Sequence, residues 1–111
     1  MLPKKERLSR DAFSRFFSMG KRHHSPSLQV VYTPYESLHV SVVVPKKVQK
    51  SAVKRNKIRR RIYDIVRNYR KERGIQGVFI FLAKATIIEL AYVQMKEEVQ
   101  KQIEHILKNR H

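Results

Sequence analysis

Thirteen lysines and arginines lie between Lys46 and Arg73, against two acids, Asp64 and Glu72. This stretch carries +11 of a net charge of +16. The chemistry it offers is phosphate recognition. A lysine ammonium meets a phosphate as a point charge, whereas the planar fork of arginine grips two oxygens at once. A field so concentrated needs a polyanionic partner.

Other chemistry is not supported. Nine acids are scattered, and none cluster as a two-metal nuclease site requires. No nucleophile–base pair and no phosphate-cradling glycine-rich loop appears. His39 and Ser41 stand two apart on one strand face, which is reach without a triad. His23 and His24 are adjacent, but no further metal-ligand pattern stands near them. With no cysteine, disulfide and thiolate chemistry are excluded. The expectation is therefore no catalytic group and no metal ligand in the protein. It supplies electrostatics and positioning, and something else supplies the reacting groups.

A helix must position the cations. From Ala52 there is no Gly or Pro until Gly74. Ile58, Ile62, Ile65, Val66 and Tyr69 recur three and four apart, which lines one face. At about 100° per residue, Asn56, Arg59, Arg60, Tyr63 and Arg67 fall on the opposite face. Ser51 is the predicted N-cap. An ordinary solvated face interleaves acids for i,i+4 support, and only Asp64 does so here.

Residues 1–7 form a short basic arm. Ser9 predicts a helix start, with Asp11 in its first turn and Leu8 stapled onto Phe13. Phe13, Phe16 and Phe17 share one face, and Gly20 is the expected helix end. Residues 21–27 read as a polar connection. Leu28 to Thr33 and Leu38 to Val44 read as strands, expected to pair as an antiparallel hairpin. Leu38, Val40 and Val42 point one way, and His39, Ser41 and Val43 the other. Tyr32 and Ser41 are expected to face away from the covering helices. Val78 to Ala83 is uniformly apolar, as an interior strand is. Thr86 to Glu89 has a capping-box pattern ahead of an amphipathic helix through Ile106.

One domain of 111 residues is expected, with a modest core. The coarse order is helix, strand, strand, helix, strand, helix, a two-layer α/β (α+β) sandwich with helices over one sheet face. The opposite face would be an open groove for a single strand, with bases stacked on rings and phosphates met by cations. No run reaches the length of a membrane span, and no signal peptide is evident, so cytoplasmic residence is expected.

Pro45-Lys46-Lys47-Val48, followed by Ala52-Val53-Lys54-Arg55-Asn56-Lys57-Ile58-Arg59-Arg60, resembles the signature of the bacterial ribonuclease P protein component. Arg7-Leu8, Phe13, Gly20, Tyr32 and the run from Val78 to Lys84 extend the likeness along nearly the whole chain. The resemblance implies an α/β sandwich with a left-handed crossover onto the basic helix. It implies a catalytic RNA as partner and precursor tRNA as substrate, with Mg²⁺-dependent removal of the 5′ leader by the RNA. The Mg²⁺ would sit mainly with the RNA and substrate. Lys46, Lys47, Lys54, Arg55, Asn56, Lys57, Arg59 and Arg60 take the role of contacting the catalytic RNA, joined by Tyr63 and Arg67 on the same helix. Phe13, Phe17 and Tyr32, with Ser41, take the leader cleft. No membrane and no obligate protein partner are implied.

Five positions depart from the family pattern. Pro45 stands for serine, Gln49 for glycine, Lys57 and Lys84 for arginines, and Tyr63 for a further arginine. Lys57 and Lys84 keep charge without the fork. The alternative reading is a structural RNA-binding protein, such as a ribosomal protein, with no processing role. An anionic membrane surface is a third, weaker partner for a basic helix with an apolar face.

Overall fold

The computed structural model describes residues 7–109. The expected basic arm lies outside them except for Arg7. Ser9 caps α1 (Arg10–Met19), its hydroxyl accepting the Ala12 N–H at 3.2 Å. Three strands follow: β1 (Lys21–His24), β2 (Leu28–Thr33) and β3 (Leu38–Val43). The basic helix α2 (Ala52–Arg73) leads to β4 (Gly77–Ala83), a short 3-10 turn over Ala85–Glu89, and α3 (Tyr92–Lys108).

The sheet order is β1-β2-β4-β3. β2 runs antiparallel to β4, and β3 runs parallel to it. The expected β2–β3 hairpin is therefore absent, because β4 is inserted between the two strands. Parallel neighbours need a crossover, and α2 supplies it. β4 is paired on both sides, and six of its seven residues are buried, as its uniformly apolar run requires.

Residues 21–24 are a strand, not the expected connection. β1 pairs with β2 in the register Lys21 to Tyr32 through His24 to Gln29. Three of its four residues are exposed. A polar edge strand has no apolar alternation to reveal it. Gly20 ends α1 as expected, its N–H donating to the Phe16 carbonyl, but not in a left-handed conformation. Its φ is −72°, and the glycine is there for space. A Cβ would come within 2.5 Å of Val31 and 2.9 Å of the Phe16 carbonyl oxygen.

α2 and α3 cover one sheet face, and the larger core lies between them. Its fully enclosed members include Val30, Phe79, Phe81, Ile62 and Ile103. α1 packs on the other face, where Phe16 meets Val31, Val78 and Ile80. That face is therefore narrowed by a helix rather than fully open. Ser51 caps α2 through its hydroxyl, which accepts the Lys54 N–H at 3.3 Å. Gly74 ends it with φ 63°, a left-handed value suited to glycine.

The helix expected from Thr86 starts later. The Thr86 hydroxyl instead donates to the Pro26 carbonyl at 2.8 Å and lies 2.9 Å from Ser27 Oγ. α3 begins at Tyr92, where Gln94 Oε1 accepts the Ala91 N–H at 2.9 Å. Glu98 of α3 ties the β1–β2 turn down, accepting from Ser25 Oγ at 2.5 Å and Ser27 N–H at 2.8 Å.

Candidate nucleic-acid interface

The segment from Val44 to Lys50 swings the chain from β3 into α2. Its turn is closed by the Val48 and Gln49 N–H groups, which donate to the Pro45 carbonyl. Arg55 Nη1 reaches back to the carbonyls of Gln49 at 3.0 Å and Lys50 at 2.9 Å. Gln49 Oε1 accepts the Ser51 N–H at 3.1 Å. Arg55 and Gln49 thus hold the loop against the helix start. Lys46 and Lys47 remain exposed on that loop, beside the first turn of α2.

The cations of α2 do not form one ridge. Asn56, Arg59, Arg60 and Tyr63 line a groove of about 510 Å³ together with Arg7. Arg59 Nη2 donates to Asn56 Oδ1 across one turn. Lys54, Lys57 and Arg61 line a second groove on the other flank. A third, of about 470 Å³, brings Lys47 and Lys84 together with Gln29, Pro45 and Leu82. Among the described residues no carboxylate lines any of the three.

Tyr63 corrects the expected outward face. It is buried, and its hydroxyl accepts the Val42 N–H at 3.2 Å. Burial pushes its pKa up, opposed by that hydrogen bond, by the charges of Arg7 and Arg59, and by Ser41. β3 is the sheet edge, and two groups cover it: Tyr63 at Val42 and a parallel bridge from Arg7 to Val40. Arg67 is half-buried, with Nε enclosed and without a hydrogen-bond partner among the described residues.

On the opposite side, Phe13 and Phe17 stack 5.6 Å apart at 19°. Both are half-buried at the edge of α1. The Arg22 guanidinium lies 4.5 Å over the Phe17 ring, and Nη2 donates to the Phe17 carbonyl at 3.3 Å. A cation over an aromatic face is attractive, and together they form a charged stacking platform. Ser41 pairs in register with Ile80, which faces α1, so it shares that face.

Tyr32 does not join them. It pairs with Phe79 and packs against that ring, 4.9 Å between centroids, in the core under α2 and α3. Its exposed rim lines a separate groove of about 630 Å³ with Arg70, Gly74 and Gln76. The strand parity carried a partial signal: Leu28, Val30 and Tyr32 alternate with Gln29, Val31 and Thr33, of which Val31 is itself apolar and packs under α1. Gly77, with φ 122°, lies directly under the Tyr32 ring, where a Cβ would come within 2.5 Å.

No group of three or more His, Cys, Asp or Glu among the described residues is placed to hold a metal ion. No helix among them is long and apolar enough to cross a membrane.

A family profile for ribonuclease P matches residues 2–107. The chain belongs to the bacterial ribonuclease P protein component family. Membership makes it the protein subunit of the ribonuclease P ribonucleoprotein enzyme and gives it a general role in RNA binding and processing. A ribonuclease P protein component from Synechococcus sp. is 30% identical over 108 residues, spanning 91% of this chain and 81% of that protein. One from Nitratiruptor sp. is 29% identical over 85% of this chain and 84% of its own length. The fold agrees with two solved structures. The RNase P protein from Thermotoga maritima superposes with a TM-score of 0.80 at 19% identity, covering 91% of this chain and 97% of that one. The Staphylococcus aureus RNase P protein gives 0.73 at 23% identity over 93% of each.

Within this ribonuclease P protein, Arg7, Arg22, Arg61 and Lys84 line the grooves and the platform without having been assigned to the site from the sequence. Arg7 and Arg22 sit on a sheet edge and an edge strand, where local pattern is weakest. Arg61 was in plain view on α2 but off the expected ridge.

Proposed function

We propose that this chain holds the catalytic RNA of a ribonuclease P along α2 and the 5′ leader of precursor tRNA on the α1 side of the sheet. The whole chain acts as one RNA-binding domain. Lys46, Lys47, Lys54, Asn56, Lys57, Arg59 and Arg60 meet RNA phosphates. Arg55 shapes the loop that presents them, and Tyr63 supports the groove from beneath. Phe13 and Phe17 receive leader bases, with Arg22 over Phe17 and Ser41 farther along the same sheet face.

The observation that carries this reading is the groove of Arg7, Asn56, Arg59 and Arg60, where cations converge on an amide with no carboxylate among the described lining residues. Such a site is matched to anionic oxygens, and in an RNA-binding protein those are phosphates. Among the described residues no carboxylate set is gathered for Mg²⁺, and in this reading the ion's ligands are phosphates of the RNA and substrate. Bound there, Mg²⁺ would supply Lewis-acid chemistry for phosphodiester hydrolysis. The protein's part is to lower repulsion between two RNA chains and hold the leader still.

Equilibrium binding of a bacterial catalytic RNA across a salt series tests this. Arg60→Ala is expected to weaken binding and to reduce the slope of log K against log salt by roughly one. Unchanged affinity and slope would remove this groove from the RNA interface.

A further inference from the structure

The flank of α2 that faces α3 carries a second site, different in kind from the first. Lys54, Lys57 and Arg61 rim a slot of about 450 Å³ whose floor includes Ile58, Ile87 and Met95. Those three floor residues are buried, but Ile88 at the mouth is 52% exposed. Tyr92, on the next turn of chain, is 39% exposed. An isoleucine held half in water beside three cations is an unfilled apolar contact inside a cationic rim.

We infer that this slot takes an unpaired nucleotide of the catalytic RNA, its base against Ile88 and its phosphate on Lys54, Lys57 and Arg61. The inference rests on the RNA-binding reading above. Three observations point this way. The slot and the Arg59–Arg60 groove lie on opposite flanks of the same helix turns, so the interface is continuous across α2. No acid occurs in α2 before Asp64, so both flanks repel cations and attract polyanions. A rigid duplex laid on a helix touches one flank. Gripping both requires RNA that bends around the helix or splays out a nucleotide, and unpaired nucleotides are what protein side chains read best in RNA. The apolar floor suits the face of a base and offers nothing to a duplex backbone.

The test uses the full chain and a bacterial catalytic RNA. Ile88→Ser removes the apolar contact without adding charge, and Ile88→Val largely restores it. Ile88→Ser is expected to bind the RNA about tenfold more weakly with an unchanged salt slope, because no phosphate contact is lost. Chemical probing should show one or two unpaired nucleotides losing protection in that variant and regaining it with Ile88→Val. Arg61→Ala should lower the salt slope by about one. Wild-type affinity and footprint for Ile88→Ser, while Arg60→Ala still weakens binding, would overturn the slot and leave the first groove standing. Failure of both variants to change binding would overturn the RNA-binding reading itself. If an acidic amphipathic peptide binds the wild type and not Ile88→Ser, while the RNA footprint is identical in both, the slot belongs to a protein partner and the inference is wrong.

Discussion

The hydroxyl of Tyr63 accepts the backbone N–H of Val42, 21 residues earlier, at 3.2 Å. The contact joins α2 to the open edge of the sheet, just below the groove formed by Arg7, Asn56, Arg59 and Arg60. Tyr63 therefore pins the cationic helix to the β3 edge, beside the apolar contacts of Ile58, Ile62 and Val66. Tyr63→Phe keeps the ring and leaves the Val42 amide without its acceptor. A loss of about 1 kcal/mol in urea unfolding is expected. The salt slope of RNA binding should stay unchanged, because no phosphate contact is removed. A wild-type stability for this variant would contradict the supporting role.

Phe17 and Tyr32 should separate cleanly. Phe17 is half-buried on the α1 face, under Arg22, whereas Tyr32 is a core residue on the other side of the sheet. Phe17→Ala is expected to weaken holoenzyme binding of precursor tRNA by ~1–3 kcal/mol, with little change for leaderless tRNA. Tyr32→Ala is expected to destabilise the fold by roughly 3 kcal/mol and to affect both substrates alike. Paired binding measurements with and without a leader check both. Leader-specific loss from Tyr32→Ala would return that residue to the cleft.

Much of this architecture was legible in the sequence, and the exceptions share a cause. α2, its Ser51 cap, its Gly74 end and the interior placement of β4 follow from periodicity and from where Gly and Pro stand. Strand parity was legible too at β3, but not at β2, where Tyr32 was expected to share the outward face with Ser41 and instead shares the core face with Leu28 and Val30. What local pattern does not encode is the partner of a strand. The insertion of β4 between β2 and β3 is a choice between distant segments, and neither strand records it. β1 was hidden because Lys21, Arg22, His23 and His24 show no apolar alternation. Tyr63 lies at the border between the buried and exposed sides of α2. A helical wheel leaves such a residue undecided, and only the position of the β3 edge decides it.

His23 faces a cluster of like charge. Burial lowers its pKa first, then Lys21, His105 and His24, with the His105 ring 6.0 Å away. The unfolded chain takes up the proton at the ordinary histidine value, above the folded one. Stability from neutral His23 is thus present above about pH 6.5 and is lost as pH falls through the lowered folded value. Thermal unfolding at pH 7.5 and pH 5.5 should show a drop that is smaller in His23→Gln. An equal drop in both proteins would place the pH sensitivity elsewhere.

The division of labour between protein and RNA is tested most directly by 5′-leader cleavage of a precursor tRNA at low Mg²⁺. The protein is assayed alone, the bacterial catalytic RNA alone, and the two together. Cleavage that needs both components is the predicted result, because the described residues offer cations and a stacking platform and gather no metal-holding cluster. Cleavage by the protein alone would contradict that directly. No rescue of the RNA by the protein, with tight binding to ribosomal RNA instead, would contradict the processing role.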